Sequence, residues 1–212
     1  MGTNTASLFP MFLKLEGRNC LVLGAGSVGE QKIRSLLDCG THIRVVAPLA
    51  TTTVQEWARR GAVNWTRREF ETTDLDGTYL VVAATSNVEV NHAIYREAQT
   101  RGILCNVVDD PPYCDFYYGA LVRRGHLQIA ISTNGLSPAL AQRIRKKFEA
   151  EFPQIYGDWL DELGSKREEL FRSGGDPEQR KQLLHRLATH EEFLKFESSQ
   201  FASILESGKE VL

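Results

Sequence analysis

The sequence of 212 residues has no long apolar run; none approaches the length needed to span a bilayer, so no membrane-spanning helix and no membrane partner are expected. It also lacks an excess of either charge. With 25 basic and 27 acidic side chains the formal net charge is -2, which argues against a general nucleic-acid binder. Cysteine is scarce: the four present (Cys20, Cys39, Cys105, Cys114) form no C-x-x-C pair and no metal-knuckle spacing. Cys20 and Cys105 sit inside apolar runs and read as small core residues, and a reducing cytoplasm is the expected compartment. The five histidines (His42, His92, His126, His185, His190) are scattered without ligand spacing, so no metal site is expected, and His126 reads as a turn residue. There is no G-x-S-x-G elbow. The start, Met1 to Pro10, lacks a basic region followed by an apolar core and does not read as a secretion signal. There is no internal repeat and no low-complexity segment.

What is present is an alternation of strand and helix patterns over the first two thirds. Strands are expected at 18–23, 43–47 (ended by Pro48), 63–67, 79–84 and 104–108, and helices at 27–39, 53–60 and 87–101. Ile33, Leu36 and Leu37 form one helical stripe, Val54, Trp57 and Ala58 another, and Val90, Ile94 and Ala98 a third; Gly40, Gly61 and Gly102 close the helices. This order predicts an α/β fold, a parallel sheet covered by helices on both faces. Two further strands are expected at 116–123 and 127–132, joined through Arg124-Gly125. From the cap-and-proline signal Ser137-Pro138 to Leu212 only helices are expected, broken at Gly174-Gly175-Asp176-Pro177, with Phe193, Phe196 and Phe201 on a last amphipathic stretch. A helical tail of about 60 residues is marginal as an independent core and is expected to pack on the first domain or on a second subunit.

Four segments carry chemistry. Gly24-Ala25-Gly26-Ser27-Val28-Gly29 fits G-x-G-x-x-G between a strand and a helix, where the glycines permit a tight turn, close approach of a pyrophosphate and close helix–strand packing. The helix amino terminus adds unpaired N–H groups for phosphate. The acid expected about 20 residues on is missing; Val46-Ala47-Pro48-Leu49 stands there, so the ribose is expected to meet backbone groups around Pro48 and Leu49. Arg44, inside the strand, is poorly placed for a 2′-phosphate, and the reading favours NAD over NADP. Val82 to Asn87 ends a strand in small and hydroxyl residues, where Thr85 serves a cofactor or Ser86 or Asn87 simply caps a helix.

Cys105-Asn106-Val107-Val108-Asp109-Asp110-Pro111 ends an apolar run in two carboxylates. Asp109 is there either a proton acceptor at a ligand-binding strand end or part of an ordinary turn before Pro111 and Pro112. Ser132-Thr133-Asn134-Gly135-Leu136-Ser137 is a polar loop that either holds a carboxylate or only caps a helix. Arg123, Arg124, Arg143, Arg145, Lys146 and Lys147 together would suit an anionic substrate.

These motifs, in this order and spacing, resemble the precorrin-2 dehydrogenase family, the dehydrogenase/ferrochelatase unit of siroheme synthases. The resemblance rests on Phe12 to Arg18, the G-A-G-S-V-G loop, V-A-A-T at 82–85, C-N-V-V-D-D-P at 105–111, Cys114-Asp115-Phe116, A-L-V-R-R-G at 120–125 and I-S-T-N-G-L-S-P-A-L-A at 131–141. It runs from about residue 10 to 150 and is weaker in the helical tail. It implies a Rossmann-like NAD-binding domain (1–112), a dimerisation region (113–148) and a small all-helical domain (149–212) in a cytoplasmic homodimer. It further implies NAD-dependent oxidation of precorrin-2, an anionic tetrapyrrole, to sirohydrochlorin, with ferrous iron insertion in some members.

By the same resemblance Asp109 is the catalytic residue. Gly24, Gly26, Ser27, Val28, Gly29, Pro48, Leu49 and Thr85 face the cofactor, and Asn106, Ser132, Thr133 and Asn134 face the substrate. Two departures stand out: Gly119 replaces a proline common in the family, which is expected to loosen the crossing strand, and no methyltransferase module follows, so the chain is not expected to make precorrin-2 itself. The alternatives are a chelatase acting on sirohydrochlorin alone and a non-catalytic NAD(H)-sensing module.

Overall fold

The computed structural model describes residues 7–207. The chain forms two compact units, one ending at Tyr118 and one beginning at Gly119. The ends of the expected helical tail and of the first domain, residues 208–212 and 1–6, lie outside the described residues.

The first unit is a five-stranded sheet in the order β3-β2-β1-β4-β5, every pair parallel. Its strands are β1 (Asn19–Ala25), β2 (His42–Ala50), β3 (Asn64–Thr66), β4 (Leu80–Ala83) and β5 (Leu104–Val107). Helices α1 (Ser27–Leu37), α2 (Thr52–Arg59) and α3 (Val88–Thr100) connect them. Side chains along β1 alternate between faces, as strand geometry requires. Cys20, Val22 and Ala25 join Ile33 and Leu36 of α1 and Val54 of α2 in one core; Leu21 and Leu23 join Ile94 and Ala98 of α3 in the other. Leu21, Leu23, Ile33 and Ile94 are fully buried. Each such side chain contributes about 1.5–3 kcal/mol of hydrophobic stabilisation.

One sequence expectation needs correction here, and another gains its physical reason. Pro48 does not end β2, which runs on to Ala50. A register shift between Leu23 and Ala25 of β1 pairs Ala25 with Ala50, so the missing proline N–H falls where the ladder is already irregular. Arg44 is engaged elsewhere, in keeping with its poor placement for a phosphate. Its guanidinium donates to the carbonyls of Asp74 (2.7 Å) and Asp76 (3.1 Å) and to the Thr78 hydroxyl (2.7 Å), tying β2 to a 3₁₀ turn at Thr72–Leu75 that the periodicity does not announce.

The second unit opens with an antiparallel hairpin of β6 (Ala120–Arg124) and β7 (Leu127–Ile131), turning at Gly125-His126. The strand expected from Phe116 begins only at Ala120, because the preceding residues wrap back onto β5: Asn106 donates to the Phe116 carbonyl at 2.8 Å. A Cβ on Gly119 would lie 3.0 Å from the Ile131 carbonyl oxygen, a tight approach to β7. Helices α4 (Pro138–Glu151), α5 (Ile155–Arg172), α6 (Pro177–Leu187) and α7 (His190–Ser207) follow. The Ser137 cap signal is realised, its side chain accepting from the Leu140 N–H, and the helix that follows the break at 174–177 is capped by the Asp176 side chain, which accepts from the Gln179 N–H. Arg124 is buried and closes the end of α4 by donating to the carbonyls of Glu149 (2.9 Å) and Phe152 (2.6 Å), satisfying acceptors that the helix leaves open. Phe193 of α7 is buried against α5, stacked on Tyr156 at 4.1 Å and edge-on to Trp159 at 5.2 Å.

Candidate active site

The strand order reverses direction between β1 and β4, and their carboxyl ends frame the crevice where open parallel sheets take ligands. Three segments meet there: the glycine loop after β1, the Ala84–Asn87 turn after β4 and the Asp109 turn after β5.

The glycine loop is shaped for close packing on one side and openness on the other. Gly24 has φ +94, and a Cβ there would lie 2.3 Å from the Ala84 oxygen; one on Gly29 would lie 2.1 Å from the Gly24 oxygen. At Gly26, by contrast, a Cβ would meet nothing within 4 Å, so protein packing gives no reason for glycine at that position. Gly26 is the cap residue of α1 and offers no side-chain bond, which leaves the first N–H groups of α1 without a side-chain cap. Gly26, Ser27 and Val28 are exposed, as are Pro48 and Leu49 at the end of β2. Val28 at 40% and Leu49 at 75% present apolar surface to solvent beside a polar cradle, the pairing that a nucleotide's base and phosphates require. An open cradle, uncapped N–H groups and two apolar side chains therefore fit a dinucleotide.

After β4, Asn87 caps α3 by accepting from the N–H groups of Glu89 and Val90. Thr85 does not present a free hydroxyl: its Oγ1 bonds the Oδ1 of Asn91 at 2.6 Å, and the Nδ2 of Asn91 returns a bond to the Thr85 carbonyl at 3.1 Å. Asn91 is buried and holds this turn through Thr85.

At the end of β5, Asp109 is exposed and adopts φ +60. Only one other non-glycine residue among those described is left-handed: Asn134, at φ 54. Asp and Asn tolerate this conformation better than most residues, yet the surrounding structure has to hold them in it. Around Asp109 that support is visible. Asp110 caps a 3₁₀ turn over Pro111–Tyr113. Its carboxylate meets the Nε2 of His92 from α3 at 2.6 Å, and the His92 ring stacks on Tyr113 with centroids 3.8 Å apart. Behind the turn, Asn106 is buried and donates to the Cys114 sulfur (3.3 Å) as well as to Phe116. The Cys114 thiol donates to the Val107 carbonyl at 3.1 Å, and burial pushes its pKa up, so it stays protonated. Asp115 accepts from the Cys105 N–H at 2.8 Å and completes the exposed edge of β5.

The loop at Ser132–Ser137 belongs to the second unit. There the Ser132 hydroxyl accepts from the Asn134 N–H (3.1 Å) and the Thr133 hydroxyl from the Ser137 N–H (3.2 Å), which fixes the loop around the left-handed Asn134. Of the cations expected to serve an anion, Arg124 is spent on helix carbonyls and Arg145 pairs with Glu149 and Gln142. Among the described residues no three His, Cys, Asp or Glu side chains cluster so as to hold a metal ion, and no helix is long and apolar enough to cross a membrane.

Comparison with known proteins bears on this arrangement. Residues 11–120 match the family described as "Putative NAD(P)-binding", and residues 124–151 match the family described as sirohaem biosynthesis protein central. A siroheme synthase of Nitrosococcus oceani is 38% identical over 148 residues, 70% of this chain and 32% of that protein. Siroheme synthase 1 of Aeromonas salmonicida is 41% identical over 148 residues, again 70% of this chain and 32% of the relative. The chain thus spans about a third of the length of these relatives. Among solved structures, SirC, a precorrin-2 dehydrogenase, superposes with a TM-score of 0.78 at 25% identity, covering 94% of this chain and 100% of that one.

Proposed function

Because the chain belongs to the NAD(P)-binding family of siroheme synthesis, we propose that it is an NAD-dependent precorrin-2 dehydrogenase with Asp109 as its base. The observation that carries this reading is an exposed, left-handed carboxylate at the end of β5, in a sheet whose β1 ends in a glycine cradle with room at Gly26. NAD, when bound, supplies the hydride acceptor, so that precorrin-2 and NAD give sirohydrochlorin, NADH and a proton.

The chain's own residues do the rest. Gly24, Gly26, Ser27, Val28 and Gly29 form the phosphate cradle, and Pro48 and Leu49 take the ribose side with backbone and apolar contacts in place of the missing acid. Thr85 serves through its backbone, since Asn91 holds its hydroxyl. Asp109 accepts the proton that leaves with the oxidation. Asn106 supports the wall behind Asp109. In the second unit, Ser132, Thr133 and Asn134 are assigned to a substrate carboxylate. Iron insertion into sirohydrochlorin would draw on the same Asp109, with ferrous iron as substrate. The homodimer, its region at 113–148, and a cytoplasmic location belong to the same reading.

Purified protein mixed with NAD and precorrin-2 is expected to produce NADH together with the sirohydrochlorin spectrum; no NADH above background would sink the proposal. Asp109→Ala should lose turnover and keep NAD binding, and full activity in that variant would remove Asp109 from the mechanism. Sirohydrochlorin with ferrous iron and no NAD tests insertion separately.

A further inference from the structure

Two consecutive residues of α3 hold the two turns that follow β4 and β5. Asn91, buried, bonds the hydroxyl and the carbonyl of Thr85 in the turn after β4 (2.6 and 3.1 Å). His92 brings its Nε2 to 2.6 Å from the Asp110 carboxylate in the turn after β5. This pair is sheltered: the His92 side chain is 16% exposed and that of Asp110 29%, so water competes for the bond less than at an open surface. The imidazole lies flat on Tyr113, with 3.8 Å between centroids and 11° between planes, and Tyr95 meets the same ring edge-on at 5.3 Å. His92 thus grips the 3₁₀ turn at both ends, through Asp110 that caps it and through Tyr113 that closes it.

We propose that His92 is a positioning residue of the active site, which sets the direction of Asp109 by locking the Asp110 side chain to α3. This rests on the dehydrogenase reading above. Asp109 lies between two tied residues. The Val108 N–H donates to the Ala83 carbonyl (3.0 Å), and the Asp110 N–H donates to the Val107 carbonyl (3.3 Å). The second bond is long, and by itself it is a weak hold on a left-handed backbone that a non-glycine residue adopts against its preference. The Asp110 carbonyl is used within the turn, accepting from the Tyr113 N–H (3.0 Å) and the Cys114 thiol (3.3 Å). The carboxylate is therefore the group of Asp110 that fastens the turn to a helix. Because Asn91 and His92 are neighbours on that helix, one turn of α3 fixes both Thr85, assigned above to the cofactor, and the residue next to the proposed base. A proton acceptor has to stay within hydrogen-bond reach of its donor, so a turn free to swing costs rate and leaves cofactor affinity alone. Periodicity gives His92 no such role, since Asp110 lies 18 positions away.

The test compares wild type with His92→Phe, His92→Gln, Asp110→Ala and the double variant His92→Phe/Asp110→Ala, using NAD and precorrin-2. Phenylalanine keeps a flat ring for Tyr113 and loses the bond to Asp110. Glutamine, whose amide nitrogen has the reach of Nε2, keeps a donor and loses the ring. NAD titration and the thermal midpoint report that each variant is folded, and kcat and both KM values are read below the lowest midpoint. His92→Phe should lower kcat about tenfold with KM for NAD unchanged, since no cradle residue is altered. His92→Gln should stay within about threefold of wild type, and the double variant should lose no more than either single one, the mark of two residues acting through one contact. Amide hydrogen exchange over residues 107–114, measured without substrate, should be faster in His92→Phe and close to wild type in His92→Gln. A His92→Phe protein that melts earlier yet keeps wild-type kcat overturns the proposal. So do losses that add in the double variant, a loss that His92→Gln shares in full, or unchanged exchange in the turn. If wild type itself yields no NADH, the dehydrogenase reading fails, and the exchange still decides whether His92 holds the turn. If wild type turns over and folded His92→Phe matches it, only the role of His92 fails.

Discussion

Three glycines within six positions do different work, and substitution separates them. A Cβ at Gly29 would lie 2.1 Å from the Gly24 oxygen, so Gly29→Ala has to displace backbone. Overpacking of this kind costs about 1–3 kcal/mol, and a lower thermal midpoint by circular dichroism is the expected result. At Gly26 the space is open within 4 Å, so Gly26→Ala should fold with an unchanged midpoint. Its added methyl occupies the approach to the α1 N–H groups, and NAD affinity by calorimetric titration should fall about tenfold or more. Equal effects of the two substitutions on stability would contradict the division between packing glycine and ligand glycine. Asp109 belongs to this scale too. Asp109 is itself a turn residue, left-handed in the turn that the Asp110 N–H closes by donating to the Val107 carbonyl (3.3 Å), and it is exposed, as the proposed proton acceptor has to be.

The element between β3 and β4 shows how a charge stabilises a connection that has little core of its own. Asp74, in the 3₁₀ turn at Thr72–Leu75, is buried and accepts from both guanidinium nitrogens of Arg68 (2.8 and 2.6 Å) and from the Glu71 N–H (2.9 Å). The Arg68 hydrogen bonds, the largest influence, hold its carboxyl below the usual range against the opposing effect of burial. The sign follows from the depressed pKa. The contribution is fully present above the unfolded carboxylate value near roughly 3.9, and it is lost as pH falls through the lower folded value. Arg68→Ala leaves Asp74 buried and short of partners, at a cost of about 1–3 kcal/mol. Its acid-unfolding midpoint, followed by circular dichroism, should lie at higher pH than that of wild type. An unchanged midpoint would mean that water replaces Arg68 without loss. The same element explains Arg44, which no periodicity could assign, since its partners lie 30 to 34 positions away.

At the scale of the molecule, the chain is two compact units with separate cores. The helical unit depends on an aromatic cluster in which Phe193 packs on Tyr156 and Trp159. Phe193→Ala should cost about 3–5 kcal/mol there. Helical signal should melt earlier by circular dichroism while NAD affinity stays as in wild type, because the cradle residues all belong to the first unit. A parallel loss of NAD affinity would show that the two cores fold as one.

Sequence alone determined whatever depends on neighbours in the chain. Buried strands, the helix cap at Ser137, the helix break at 174–177, the glycine loop and the strand-end aspartates follow from short-range stereochemistry and periodicity, and each is present in the structure. Element boundaries failed where a distant partner overruled local preference: β2 passes Pro48 because Ala25 pairs with Ala50, and β6 starts late because Phe116 is held by Asn106. The surroundings of the site were decided only by tertiary structure. His92 reaches Asp110 across 18 positions, and Thr85 gives its hydroxyl to Asn91. Polar side chains choose partners by distance in space, and only the assembled parallel sheet sets the ends of β1, β4 and β5 side by side.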